Sequence, residues 1–116
     1  MPITRLHPGK RLSEAVKHGN TLYLAGQVAD NPNGTIEEQT KEVLAAIDKV
    51  LAEAGTSKSK LLSCQVVLNN IADFAAMNSI YDAWIDPANP PARACIEARL
   101  ASPALKIEII AIAALD

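Results

Sequence analysis

Pro90-Pro91-Ala92-Arg93-Ala94-Cys95-Ile96-Glu97-Ala98-Arg99-Leu100 is followed, after a short Ser102-Pro103 turn, by Lys106-Ile107-Glu108-Ile109-Ile110-Ala111-Ile112-Ala113-Ala114. With period two, the first run places Ala94, Ile96, Ala98 and Leu100 on one face and Arg93, Cys95, Glu97 and Arg99 on the other. The second run places Ile107, Ile109, Ala111 and Ala113 opposite Lys106, Glu108, Ile110 and Ile112, so that a carboxylate shares its face with isoleucines. The connection between the runs is short and contains Pro103. That predicts an antiparallel hairpin, bringing Arg93 and Glu108 onto one surface. The rest of the chain reads as scaffold for that surface.

Working outward, Ile85-Asp86-Pro87-Ala88-Asn89-Pro90-Pro91 is a proline-stiffened loop that delivers the chain to Arg93. Before it, Asp73 is placed to cap a helix over 74–85, with Phe74, Met77, Tyr81 and Trp84 at helical spacing; they read as core rather than as a cofactor box. Lys60 to Asn69 reads as a strand, with Leu62, Cys64, Val66 and Leu68 alternating against Ser63, Gln65 and Asn69. Thr35-Ile36-Glu37-Glu38 is a capping-box signature that starts an amphipathic helix running to about Ala54, and Gly55 supplies its stop. Its apolar side carries Ile36, Val43, Leu44, Ile47, Val50, Leu51 and Ala54.

Nearer the N-terminus, Ile3 to Leu6 reads as a short edge strand. His7-Pro8-Gly9 reads as a turn in which glycine takes the left-handed conformation. Leu12 to His18 and Thr21 to Val28 pair as a hairpin through Gly19-Asn20. Gly26, inside the second of these strands, marks either a bulge or a place where another group approaches closely, with the bulge the default. The order of elements gives an α+β single domain over 1–116, with a mixed six-stranded sheet and both helices on one face. The other face, assigned Arg93, Cys95, Glu108, Ile110 and Ile112, is too apolar for solvent and is expected to be covered by other subunits.

Composition bounds the function. The chain has 116 residues, 49% of them apolar, only 3% aromatic, and a net charge of −2, which gives no clustered basic track for nucleic acid. No apolar run is long enough to span a bilayer, and the N-terminus lacks an export-signal pattern, so the expectation is a cytoplasmic protein without a membrane partner. Cys64 and Cys95 read as reduced thiols rather than a disulfide. With His7 and His18 isolated, no metal-ligand spacing is present.

Four stretches together resemble the RidA-like or YjgF-type reactive-intermediate imine/enamine deaminases: Leu22-Tyr23-Leu24-Ala25-Gly26-Gln27, Asp73-Phe74-Ala75-Ala76-Met77-Asn78, Pro91-Ala92-Arg93-Ala94-Cys95 and Lys106-Ile107-Glu108-Ile109. They lie in the family's order and cover nearly the whole chain. The resemblance implies a chorismate-mutase-like homotrimer with active sites between subunits. It also implies cofactor-free hydrolysis of 2-imino acids to 2-oxo acids and ammonia.

Arg93 matches the arginine that binds the substrate carboxylate, a role suited to a planar guanidinium. Its structural alternative is an interface ion pair. Glu108 matches the acid that activates water, with a subunit salt bridge as the alternative. Cys95 matches a position whose backbone contacts the carboxylate; Gly26 and Ala25 match the pocket wall, and Asn78 matches a helix residue near the interface. The chain departs from the family pattern at Lys10-Arg11-Leu12-Ser13-Glu14, where a pocket tyrosine becomes Leu12. It departs again at Ala25, usually serine, and at Ile110, which replaces a second carboxylate. A non-catalytic ligand-binding or chaperone-like trimer and a ribonuclease are the competing readings.

Overall fold

A computed structural model describes residues 1–116. In chain order the elements are β1 (Ile3–Leu6), β2 (Ala15–His18), β3 (Thr21–Leu24), β4 (Gln27–Val28), α1 (Ile36–Ala54), β5 (Leu61–Leu68), α2 (Phe74–Trp84), β6 (Ala92–Glu97) and β7 (Ile107–Ala114). The sheet order is β1-β2-β3-β7-β5-β6, and β4 also pairs with β7. The sheet is therefore six positions wide; the expected Thr21–Val28 strand fills one of them but is interrupted at Ala25-Gly26. Only β5 and β6 pair in parallel, as two strands linked through a helix can.

Local chemistry sets α1. Thr35 Oγ1 accepts from the Glu38 amide at 3.2 Å while the Glu38 carboxylate accepts from the Thr35 amide at 2.9 Å, closing the capping box. Gly55, at φ 85°, ends the helix in the left-handed conformation. Every residue of the apolar side named above is buried, and so are Gln39 and Thr40. Thr40 satisfies its hydroxyl on the Ile36 carbonyl at 2.7 Å. Gln39 donates to the carbonyls of Asn31 and Ala104 and accepts from the Lys106 amide, stapling two loops to the helix. The core between helices and sheet gathers Val43, Ile47, Leu51, Leu22, Val66, Leu68, Met77, Ile107 and Ile109. No helix is long and apolar enough to cross a membrane.

The expected hairpin of the last two strands does not form. β7 lies between β3 and β5, and β6 lies on the far side of β5. Residues 98–106 instead pass over the end of β5, where the Ala98 amide donates to the Leu68 carbonyl and the Asn69 amide to the Lys106 carbonyl. The physical reason is burial: Ile107, Ile109, Ala111 and Ala113 are all buried and belong in the middle of a sheet, whereas β6 offers alanines and an arginine suited to an edge.

This order also reverses the face assigned to Arg93 and Cys95. Arg93 pairs with Cys64 and Cys95 with Val66, both of which face the helices, so Arg93 and Cys95 face the helices too. Glu108 pairs with Val67 and lies on the open face. Arg93 and Glu108 of one chain are therefore on opposite sides of the sheet.

Smaller departures have local causes. The strand expected from Leu12 begins only at Ala15, and the left-handed residue of the 7–9 turn is His7, at φ 47°, rather than Gly9. A register shift between Leu61 and Ser63 turns Leu62 outward and makes Leu61 the buried residue. Asp73 makes no side-chain cap; Asn70 instead accepts from the Ala72 amide in the 3₁₀ turn that precedes α2. Phe74 is 41% exposed rather than core, while Met77 and Tyr81 are buried and Trp84 is half-buried.

Candidate functional site

Arg93 is exposed at the sheet edge, beneath one stripe of α2. Phe74, Asn78 and Tyr81 recur at four and three residues, so the helix presents them on one side. Arg93 Nη1 donates to Asn78 Oδ1 at 2.8 Å. Its guanidinium carbon lies 4.7 Å from the Tyr81 ring centroid and 5.9 Å from that of Phe74, within cation–π range of both. No carboxylate of the chain lies within ion-pair distance of Arg93. The guanidinium is thus oriented by neutral groups, its charge is uncompensated, and N–H donors remain for a ligand.

Cys95 follows on the same face, half-buried against the core. Burial raises its thiol pKa, and the opposing field of Arg93 does not reverse that direction. Cys64, beside Arg93 on β5, is buried and pushed up to about 11 by the same cause. Neither thiol is activated as a nucleophile by its surroundings, since activation requires a lowered pKa. Both cysteines are free.

Glu108, Gly26 and Ala25 form a second cluster on the other side of the sheet. A Cβ built on Gly26 would lie 2.9 Å from Glu108 Cδ and 3.2 Å from Cγ, with Oε2 closer still. Gly26 is therefore a place of close approach, and the group that approaches is the Glu108 carboxylate. The strand break around it is held by Gln27, which is buried and donates from Nε2 to the Ala25 carbonyl at 2.9 Å, and by the Ala25 amide, which donates to the Glu14 carbonyl at 2.9 Å. Leu12 lies two residues before Glu14, in a loop closed by the Gly9 amide on the Leu12 carbonyl, and its side chain is 60% exposed.

The structure thus gathers Arg93, Asn78 and Cys95 into one group and Glu108, Gly26 and Ala25 into another, with Leu12 in the loop next to the second. It does not bring the two groups together within one chain. Tyr81 and Phe74 flank Arg93 although their spacing reads only as core; the available signal was that Asn78 falls on the same helical stripe.

A cleft of about 630 Å³ lined by His7, Glu14, Asp30, Glu42, Lys49 and Glu53, among others, lies between α1 and the β4 side of the sheet and contains neither Arg93 nor Glu108. His7 is paired there with Glu53. Across the chain, no three His, Cys, Asp or Glu side chains converge as a metal-binding group.

The family model described as Endoribonuclease L-PSP matches residues 2–115. A RutC family protein of Haemophilus influenzae is 49% identical over 117 residues, covering 97% of this chain and 98% of the relative. The RutC family protein YoaB of Escherichia coli is 41% identical over 114 residues, covering 98% and 99%. Among solved structures, a YjgF-family protein of Neisseria meningitidis superposes with a TM-score of 0.97 at 41% identity, covering 100% of this chain and 97% of that one. With the match running from one end of the chain to the other in both sequence and fold, the protein belongs to the Endoribonuclease L-PSP family, the group that includes the YjgF and RutC proteins.

Proposed function

We propose that this protein is a single-domain, cofactor-free cytoplasmic deaminase that hydrolyses 2-imino acids and their enamine tautomers to 2-oxo acids and ammonia. The observation that carries the reading is Arg93: an exposed guanidinium, oriented by Asn78 and two aromatic rings, with no carboxylate of the chain to neutralise it. A small planar carboxylate is the ligand for such a group, because the fork makes two charge-assisted hydrogen bonds to it. Cys95 lies beside the ligand as a neutral thiol rather than as an attacking group.

Chemistry then falls to Glu108. Its carboxylate takes a proton from water as the oxygen bonds to the imine carbon, giving a carbinolamine. Glu108 returns that proton to the imine nitrogen, then takes the carbinolamine hydroxyl proton and passes it to the amino nitrogen as the C–N bond breaks, so that ammonia leaves and the carbonyl forms. Because Arg93 and Glu108 of one chain lie on opposite sides of the sheet, a complete site takes Arg93 from one copy and Glu108 from another. We place these sites in a homotrimer. Tyr23, Leu62, Ile96 and Ile110 are exposed, and a face carrying them gains by burial against another copy. Leu12 and Ala25, without hydroxyls, favour substrates with apolar side chains.

The family model's name raises RNA cleavage as another activity. The two histidines do not form a pair for it: His18 pairs with Ile3 at one end of the β1–β2 ladder, and His7 follows Leu6 at the other. The test is ammonia release from freshly generated imino acids, with Arg93→Ala and Arg93→Lys beside the native chain. Each charged hydrogen bond is worth about 1.5 to 3 kcal/mol, so Arg93→Ala should lose at least tenfold in kcat/KM, and lysine should rescue poorly. Full activity in Arg93→Ala refutes the reading. A native protein that binds 2-oxobutanoate without releasing ammonia from any imine is the non-catalytic binder instead.

A further inference from the structure

Arginine is a mobile side chain, so an exposed guanidinium recognises a ligand well only if something else arrests it. The part of the molecule that does so here is not among the residues that would touch substrate. Tyr81 is only 6% exposed, and its ring face lies 4.7 Å from the guanidinium carbon of Arg93. Trp84 packs against it with ring centroids 5.9 Å apart and planes inclined at 55°. The Tyr81 hydroxyl sits by the Cys64 thiol, on the strand that pairs with β6 at Arg93. The ring is thus packed against Trp84, its hydroxyl lies near β5, and its face meets the cation.

Charge explains why an aromatic stands here. A carboxylate under Arg93 would neutralise it and compete with a ligand for its donors, whereas a ring face attracts the cation and takes none of them. Burial raises the Tyr81 hydroxyl to about 12, so the support stays uncharged in neutral solution. Asn78, one helical turn earlier, fixes Nη1 through a single hydrogen bond and is neutral as well.

We propose that Tyr81 is the positioning residue of the anion site: its clamped ring holds the Arg93 guanidinium in the orientation that receives a carboxylate, without contacting the ligand. The inference rests on Arg93 being the carboxylate anchor. It adds a determinant outside the set that matches the family's motif, and it locates ligand affinity partly in helix packing.

The test compares Tyr81→Phe, Tyr81→Leu and a chain carrying trifluorinated phenylalanine at position 81. Phenylalanine keeps the ring face; leucine removes it; fluorination keeps the shape while weakening the negative potential of the face. Two readouts are taken: the order parameter of the Arg93 Nε–Hε group by NMR, and binding of 2-oxobutanoate together with KM and kcat for imine hydrolysis.

Tyr81→Phe should stay within twofold of native in every quantity. Tyr81→Leu should show a lowered Arg93 order parameter and a threefold to thirtyfold rise in Kd and KM with kcat within twofold, as expected when binding alone is lost. The fluorinated ring should move the same way by a smaller factor, and it decides the matter if the leucine variant does not fold. Native Arg93 order and native KM in the variants lacking the ring face overturn the proposal, as does lowered order with unchanged affinity. If the native chain binds no 2-oxobutanoate, the functional reading of Arg93 fails, and the order parameter alone decides whether Tyr81 holds the guanidinium.

Discussion

Gly26→Ala is the substitution with the most specific consequence. The added methyl carbon would stand 2.9 Å from Glu108 Cδ and 3.2 Å from Cγ, with Oε2 nearer still, whereas non-bonded carbons prefer about 3.5 to 4.0 Å. Glu108 is only half-buried, so the clash is relieved by swinging its carboxylate away rather than by moving backbone. An off-rotamer side chain costs about 0.5 to 1.5 kcal/mol. Gly26 is not among the glycines with positive φ, so alanine suffers no backbone penalty and gains about 0.4 to 1 kcal/mol through a less flexible unfolded chain. These terms nearly cancel, and the stability read by urea unfolding should change by less than about 1 kcal/mol.

Catalysis does not cancel in this way. A displacement of about 1 Å in a reacting group costs on the order of 100-fold, so kcat for ammonia release should fall by that order while 2-oxobutanoate binding at Arg93 persists. In a Glu108→Gln background, where the proposed base is already lost, adding Gly26→Ala should change kcat by less than about threefold, because both changes would remove one function. Native kcat in Gly26→Ala refutes the argument that the missing side chain serves the carboxylate. So does a second large loss in the double variant, which would mean that Gly26 acts independently of Glu108.

Other expectations follow from separate features. Gln39→Leu leaves the Ala104 carbonyl and the Lys106 amide without their partner and the Asn31 carbonyl with the Gly34 amide alone, and should cost about 1 to 3 kcal/mol in urea unfolding. Cys64 rises from 9.0 to about 11 in the fold because burial disfavours its thiolate. Its stabilising contribution is therefore complete below pH 9 and is lost as pH climbs toward 11, by about 2 to 3 kcal/mol; a Cys64→Ala chain should show a shallower decline in that window. Leu12→Tyr should shift kcat/KM away from the leucine-derived imine and toward the alanine- and serine-derived ones, since each buried methylene is worth about 0.8 kcal/mol in an apolar pocket. An unchanged ranking would place residue 12 outside the site.

The sequence by itself determined the elements whose causes lie within a few residues of each other. Thr35, Glu38 and Gly55 set both ends of α1, and its 3.6-residue periodicity marked the buried side. Period two showed which residues of β7 travel together, and the four family-like stretches named Arg93 and Glu108. The tertiary structure decided the rest. Alternation says which side chains share a face but not which strand lies alongside, so the short connection from Ala101 to Leu105 reads as a hairpin until β5 is found between the two strands it joins. That long-range pairing put Arg93 under α2 and Glu108 on the open face. One extra residue at the Leu61/Ser63 register shift reversed the side taken by Leu62. Tyr81 could be seen in sequence only as an apolar helix position, because its proximity to Arg93 comes from packing α2 across β5 and β6, and a helical stripe carries no record of what it packs upon.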